Sequence, residues 1–409
     1  MPAPVDAPVI RSDEPGSFAW EVWAKRHPAL VQRLRDASPY GPEQHRALDA
    51  LLAETAEGVI EPLPAGAHDQ ERWRAWDRGH LGTSWFAAPF LWAESYFYRR
   101  LLDAVGYFAP GPWQGVDPFA PFKHAELAGP AVDDALAVLD ELEEADPAAH
   151  DAALLRAALW GNRADLGFRI TAGDMAATGA GPALVADDSA LFWALLPEGR
   201  PAEVHLVADN AGPELIPDLL LLDHLLRSGR ARRAVLHVKP YPYYVSDATM
   251  ADVADALRRL RRAPGRGAAA AGGRLWRAMA AGELEVRAHA FFCAPLPYDE
   301  MPGELRDEFA AATVTVMKGD LNYRRLVGDR HWPATTPFTE RTAHFPGPVV
   351  ALRTLKSDVI TGLDEATVTA LESGGAPWRT SGTHALVQAD ARGQAGIRGR
   401  ADARGGRGR

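Results

Sequence analysis

Apolar positions along this chain change their spacing near residue 200. From about residue 20 to about residue 160 they recur at helical intervals, around Trp20–Leu34, Pro42–Ala56, Trp85–Val105 and Ala131–Leu142, then in an apolar stretch from Ala152 to Trp160. That spacing predicts amphipathic helices, with few β-branched runs to interrupt them. The Pro/Gly-rich segments Glu61–Gly66 and Ala109–Pro121 predict loops between the helices. Residues 20–165 therefore read as a helical N-terminal subdomain or cap, and residues 1–19, rich in Pro and Asp, as a mobile lead-in.

Beyond residue 200, short apolar runs alternate with segments of helical length. The runs predict strands at Val204–Ala208, Ala234–Val238, Val286–Phe292, Val314–Met317 and Val349–Leu352. Helices are expected between the first four, at Glu214–Ser228, Met250–Arg262, Leu275–Ala281 and Glu304–Ala311. Such alternation argues for an α/β unit, residues 166–388, with a parallel sheet and crossover helices on its faces. Ligands of these sheets bind beyond the carboxyl ends of the strands, so the residues after each strand matter most.

Composition narrows the function classes. At roughly 150 residues per domain, 409 residues suggest two or three domains. With 47% hydrophobic, 24% charged and 9% aromatic residues, the chain is of the soluble globular kind. A net charge of −10 argues against a nucleic-acid surface, which needs a basic footprint. The single cysteine, Cys293, excludes an intrachain disulfide and a Cys-based zinc site and fits a reducing compartment. The start of the chain lacks a basic stretch followed by an apolar run, so no signal peptide is expected. No apolar segment reaches the roughly 18 residues of a membrane helix, and the expected address is the cytoplasm. Residues 389–409, rich in Arg and Gly, read as a disordered, solvated tail in preference to an RNA-contacting segment.

Lysine is scarce: of 44 basic residues only Lys25, Lys123, Lys239, Lys318 and Lys356 are lysines. Three of these five fall at predicted strand ends, where a point-charge ammonium serves differently from a planar guanidinium. The first strand is followed by Asp209-Asn210-Ala211-Gly212-Pro213-Glu214 and an apolar helix. A carboxylate beside an amide oxygen at a strand end suits a hard cation, though the same residues also make a common capped turn. The second strand leads into Lys239 and on to Asp247, which stands either as a helix N-cap or as a ligand facing Asp209. Two acids at adjacent strand ends repel unless a cation lies between them, which favours the ligand. The fourth and fifth strands lead into Lys318-Gly319-Asp320-Leu321-Asn322-Tyr323-Arg324-Arg325 and Arg353-Thr354-Leu355-Lys356. Cationic groups ringing a metal site would hold a phosphoryl group, unless they only neutralise the strand-end acids. Two earlier segments can join the site: Asn162 and Arg163 after Trp160, and Glu94 with Tyr98 on one helical face, the latter read more readily as core packing with an internal ion pair.

Taken in order, WAESYFYRR, LWGNRADL, ADNAGPEL, VKPYPYYVSD, KGDLNYRRLVGD and RTLKSD resemble the metal-dependent damage-control phosphatases, in their acidic-residue-methyltransferase-like branch with its Arg-Thr-x-Lys signature. The resemblance runs from about residue 20 to about residue 365 and implies a three-layer α/β/α sandwich with a mostly parallel sheet and a helical N-terminal part. It implies that Asp209, Asn210 and Asp247 hold a divalent metal such as Mn, Co or Ni, with Mg as a further candidate. It places the substrate phosphate at Asp320, Leu321, Asn322, Tyr323 and Arg324 with Lys356, and links Glu214 to S-adenosylmethionine. The implied activity is hydrolysis of small phosphometabolites, with sugar phosphates such as fructose 1-phosphate as the expected class. Pro213 and the Ala-rich stretch near residues 263–273 depart from the pattern. In this reading Lys356 and Arg324 stabilise charge on the transferring group and Asn322 and Tyr323 orient phosphate or sugar, with Arg353 an additional candidate of no assigned role. Water attack is preferred over an acyl-phosphate on Asp209, because no Asp-x-Asp-x-Thr pattern is present. Two rivals stand beside it. One is an S-adenosylmethionine-dependent methyltransferase acting on protein glutamates, disfavoured by the single glycine in the DNAGPEL turn. The other is a non-catalytic or specialised protein of the same fold.

Overall fold

The computed structural model describes residues 7–137, 139, 146–161, 183–200, 202–375 and 377–392. Seven strands form one sheet: β1 (Ala183–Asp187), β2 (Ala202–Val207), β3 (Ala231–Val238), β4 (Leu284–Ala288), β5 (Val314–Lys318), β6 (Val349–Thr354) and β7 (His384–Asp390). Their order is β1-β7-β6-β5-β2-β3-β4. All neighbours are parallel except β6 and β7, so the mixed sheet is mostly parallel, as expected. Strands covered on both faces read as continuous apolar runs, and β5, VTVMK, is buried at all five positions.

Each face of the sheet carries its own core. On one side Val204, Leu206, Leu236 and Val316 pack with Leu215, Leu219 and Leu222 of the Leu215–Arg227 helix, and with Leu257 and Leu275 of the helices Met250–Arg261 and Arg266–Ala281. On the other side Val207, Met317 and Ala351 pack with Leu305 and Phe309 of the Gly303–Ala311 helix and with Tyr323 of the Gly319–Val327 helix. The result is an α/β/α sandwich.

A third core belongs to the N-terminal helices. Helix Phe18–Glu21 widens into a π turn over Val22–Arg26 and continues as His27–Ala37; Pro42–Glu57, Gln70–Trp76 and Phe90–Ala104 pack against it. Trp23, Trp73, Trp85, Trp92, Tyr96 and Phe97 fill the space between them. Inside this aromatic core Arg99 is buried and bonds Asp69 through two nitrogens, at 2.8 and 2.7 Å. His27 stacks on Phe97 with ring centroids 3.8 Å apart. Burial, aided by the neighbouring Arg26 charge, lowers its pKa to about 3.

Several expectations change. The segment read as mobile lead-in is held from residue 7 onward: Ala7 and Ile10 are buried, Val9 bridges Arg330, and the amide of His331 donates to the carbonyl of Pro8 at 2.9 Å. Sparse apolar residues hid a segment that docks through its backbone. Helices Gln70–Trp76 and Ala120–Leu127 lie where no helix was expected, the second beginning inside the predicted loop Ala109–Pro121. Helix Pro147–Trp160, grouped with the cap, packs on the sheet: Leu155, Leu159 and Trp160 share the core of Leu215 and Leu219. The expected strand Val286–Phe292 ends at Ala288, and Ala290–Cys293 forms a 3-10 turn. The Ala-rich stretch is the first half of helix Arg266–Ala281, and its Gly272 lies so close to the neighbouring helix that a Cβ would come within 2.6 Å of Arg261 N. Strand β7 runs through Asp390, two residues into the segment assigned to the tail; residues 393–409 lie outside the described residues. No described helix is long and apolar enough to cross a membrane.

Candidate active site

Two loops after β2 and β3 are zipped together by their backbones. The amide of Ala248 donates to the carbonyl of Asp209 at 2.9 Å, and that of Ala211 to Ser246 at 2.7 Å. The carbonyl of Ala248 accepts from Lys239 at 2.9 Å, and Asn210 pairs with Asp247 as an isolated bridge. These bonds bring Asp209, Asn210 and Asp247 to one place. The N-cap reading of Asp247 falls away, because Thr249 caps the next helix in a capping box with Asp252. Asp247 accepts instead from the amide of Tyr244 at 3.1 Å, with the Lys239 ammonium 3.9 Å away. Asn210 Nδ2 donates to Asp209 Oδ2 at 3.1 Å, while Ser246 Oγ donates to Asn210 Oδ1 at 2.7 Å.

Asp209 is buried at an acid-rich point. Burial, then the charges of Glu214 and Asp247, push its carboxyl well above the usual range, against the pull of Lys239 and Lys356. A carboxylate so placed needs compensating positive charge to ionise. The donors here are carboxylate and amide oxygens, the set a hard or borderline divalent cation takes. The residues fit such an ion. Asp209 also depends on Gly319, the first residue of helix Gly319–Val327. A Cβ on Gly319 would stand 1.8 Å from Asp209 Oδ2, and Gly319 has φ +80°.

The expected cations divide by what they touch. The Lys356 side chain is 41% exposed and its Nζ lies 3.4 Å from Glu214 Oε1. Lys239, Arg324 and Arg353 are nearly closed off from solvent. Lys318 turns aside to Asp218, at 2.9 Å, and to the carbonyl of Ala158. Arg353 is spent on Asp320, at 2.7 Å, and on Ser357, and it lies 4.3 Å over the Tyr323 ring. Burial raises the Asp320 carboxyl, but the charges of Arg353 and Arg324 and the bonds from Arg353 and Ser357 outweigh it, leaving Asp320 below its usual range.

Other expected site residues act on the frame. Asn322 Nδ2 donates to the carbonyls of Lys318 and Ala208, at 2.8 and 3.1 Å, and its Oδ1 accepts from Tyr298 at 3.0 Å. It is fully buried and ties the end of β2 to the helix after β5. The Tyr323 hydroxyl bonds Thr361 Oγ1 and Gln388, each at 2.9 Å, within the core of the sheet. Leu321 packs with Leu91, Tyr243 and Cys293. The side chains of Asn322 and Tyr323, expected to orient phosphate or sugar, are thus occupied in holding strand ends and sheet. Arg324 forks onto Asp329 at 2.6 and 3.0 Å and extends Nη1 to within 3.8 Å of Glu94. Glu94 therefore pairs with the α/β unit, where an ion pair internal to its own helix was expected. Burial lifts its pKa to about 7, against the charges of Arg324 and Arg26. Asn162 and Arg163 lie outside the described residues.

Sequence reasoning missed part of the neighbourhood. Glu126, on helix Ala120–Leu127, reaches the Asp-Asn loop: a Cβ on Gly212 would meet its Cβ at 3.4 Å. Burial, then the charge of Glu214, raises its carboxyl. Tyr98 and Tyr244 pack with ring centroids 4.6 Å apart beside Glu94 and Asp247. Ser246 lay inside the VKPYPYYVSD motif, so its signal was present; Glu126 had none, whereas Lys239 and Tyr98 were already candidates from the sequence.

Fold and crevice define an α/β/α protein whose strand ends gather buried oxygen donors beside one solvent-reachable lysine. The sequence profile of the damage-control phosphatase ARMT1-like domain matches residues 22–371, and the chain belongs to that family. It is 29% identical to Damage-control phosphatase ARMT1 of Danio rerio, over 91% of this chain and 94% of that one. The protein of the same name from Mus musculus is 28% identical, over 93% and 98%, and that from Xenopus tropicalis 30%, over 80% and 82%. Among solved structures, a DUF89 family protein from Pyrococcus horikoshii aligns with a TM-score of 0.48 at 15% identity, over 90% of this chain and 96% of that one.

Proposed function

We propose that this protein is a metal-dependent phosphomonoesterase of small phosphorylated metabolites, with sugar phosphates such as fructose 1-phosphate as the substrate class, working in the cytoplasm. The observation that carries the reading is the meeting of Asp209, Asn210 and Asp247 in a buried crevice with Lys356 at its mouth. Asp209, Asn210 and Asp247 would hold a divalent ion of the Mn, Co or Ni kind, or Mg, which when bound polarises a phosphate oxygen and water.

The chain's own groups do the rest. Lys356 binds the phosphate as a point charge and faces Glu214, which keeps the ammonium protonated and aimed. The amides opening helix Gly319–Val327, next to Asp209, add donors for an anion. Lys239 offsets the charge of Asp247 and fixes its carboxylate. Arg353 holds Asp320 at the start of that helix, so the Arg-Thr-x-Lys segment sets the position of Lys356 through the backbone of Lys356, whose amide lies 3.4 Å from Asp320 Oδ1. Glu94 and Tyr98 of the helical cap, packed against Tyr244 of the loop after β3, would meet the organic part of the substrate.

The test is turnover of a panel of sugar phosphates with Mn by the wild type, Asp209→Ala and Asp247→Ala, with metal content measured alongside. Loss of both metal and turnover is expected. Turnover that survives in either variant overturns the site assignment.

A further inference from the structure

Away from the crevice, two histidines on adjacent central strands face one another. His205 of β2 and His237 of β3 are buried, and Nδ1 of the first lies 2.9 Å from Nε2 of the second. Glu308, on helix Gly303–Ala311, brings Oε1 to 3.9 Å from His205 Nδ1 and 3.7 Å from His237 Nε2. These are the three groups among the described residues whose His and carboxylate atoms converge within 4.8 Å.

We propose that His205, His237 and Glu308 form a second divalent-metal site, of the nitrogen-rich kind that takes zinc or cobalt, distinct from the oxygen-donor crevice at Asp209. With bonds of about 2.0–2.1 Å to nitrogen and oxygen, tetrahedral ligands stand about 3.3 Å apart. The separations of 2.9, 3.7 and 3.9 Å bracket that edge, so side-chain shifts of a few tenths of an ångström close the triangle.

Two of the three ligands have the outer partners that orient them in a metal site. His205 Nε2 lies 3.3 Å from Glu203 Oε1, which holds the ring proton there and leaves the Nδ1 lone pair turned inward. Arg287 donates to Glu308 Oε1 and is itself held by Glu285 at 2.5 and 3.0 Å, so the third ligand is oriented too. A carboxylate oxygen has a second lone pair for a metal while it accepts from Arg287. Phe292 and Phe309 flank His237 with ring centroids 5.4 and 5.3 Å away, giving an apolar shell. The Glu308 side chain is 23% exposed, which places this edge of the cluster at the protein surface.

Proton accounting is consistent. Without metal, His237 donates its Nε2 proton to His205 Nδ1. His237 Nδ1 is buried without a hydrogen-bond partner. On binding, neutral His237 changes tautomer, its proton passing from Nε2 to Nδ1, and Nε2 becomes a ligand with no net proton released. Such an ion would pin helix Gly303–Ala311 to β2 and β3, the strands that lead into Asp209 and Lys239.

The experiment uses the full chain carrying Asp209→Asn and Asp247→Asn, stripped of metal, titrated with zinc by calorimetry and with cobalt by visible absorption. The expected result is one equivalent of either ion, with the intense visible bands of four-coordinate cobalt. Adding His237→Gln should abolish it, and Glu308→Ala, at a partly exposed position, should weaken it at least tenfold while the metal-free protein still melts in one cooperative transition. If His237→Gln does not fold, Glu308→Ala decides alone. No binding in the Asp209/Asp247 background, six-coordinate cobalt, or an affinity indifferent to Glu308→Ala overturns the proposal. None of these readouts depends on phosphatase activity, so the crevice assignment can fail without affecting them.

Discussion

Gly319→Ala separates the demands of a backbone turn from those of the candidate site. Gly319 has φ +80°, and the Cβ of alanine would meet Asp209 at 1.8 Å from Oδ2, 2.2 Å from Cγ and 2.6 Å from Cβ. Reaching ordinary contact at 3.4 Å forces the carboxylate back by about 1.6 Å, and a displacement of about 1 Å costs on the order of 100-fold in rate. The left-handed backbone adds about 1–2 kcal/mol of strain by itself. Gly282, in the turn after helix Arg266–Ala281, supplies the control: it has φ +75° and nothing within 4 Å of its would-be Cβ. Gly282→Ala should therefore lose about 1–2 kcal/mol in urea unfolding, and Gly319→Ala that amount plus about 1–3 kcal/mol for the collision with Asp209. Only Gly319→Ala should also lose Mn affinity by calorimetry and about 100-fold in kcat/KM on a sugar phosphate. If Gly319→Ala binds metal and turns over as Gly282→Ala does, Asp209 is not a ligand and the crevice has been misread.

Three further outcomes follow from the same geometry. Lys356→Ala should lower kcat/KM about 100-fold with metal content unchanged, and Lys356→Met should behave alike, since the charge and not the stem holds the phosphate. His27 has a folded-state pKa of about 3 against an ordinary value of 6.5, so its contribution is complete above pH 6.5 and is lost as the pH falls towards 3. His27→Phe should remove about 1.4 kcal/mol per pH unit of slope from the stability profile in that window, read by unfolding at several pH values. Asp69→Ala should cost about 3 kcal/mol in denaturant unfolding, because Arg99, 1% exposed, keeps only Asp103 as a partner. Its kcat for the folded fraction should stay near wild type.

What could be read from the residues depended on how each segment is stabilised. The central strands are buried on both faces, and their apolar runs named β2, β3, β5 and β6 directly. Strand β7 escaped because its buried Gln388 and Asp390 look like surface residues; they are satisfied by Thr361, Tyr323 and Thr342, partners that only folding supplies. The edge strand β1 is five residues long and shares that invisibility. At the site, chemistry-bearing motifs fell where strand ends require, and Asp209, Asn210, Asp247 and Lys356 converge. Direction was not legible. Nothing in the KGDLNYRR segment says that Lys318 turns to Asp218, that Asn322 clamps backbone, or that Tyr323 faces the sheet core. Those choices are set by helix phase and by neighbours from distant segments.

The reversed direction of β7 has a practical result. Because β7 runs antiparallel to β6, with Asp390 opposite Val349, the last described strand delivers the chain to the end of the sheet away from Asp209. Six residues of β6 lie between the two ends, a span of about 20 Å. A fluorophore, an affinity handle or a surface tether attached at Arg392 therefore starts from the end of the sheet opposite Asp209 and leaves the entrance at Lys356 clear. The end of the sheet at Asp390 is a side from which the protein can be immobilised for binding measurements on small phosphorylated molecules.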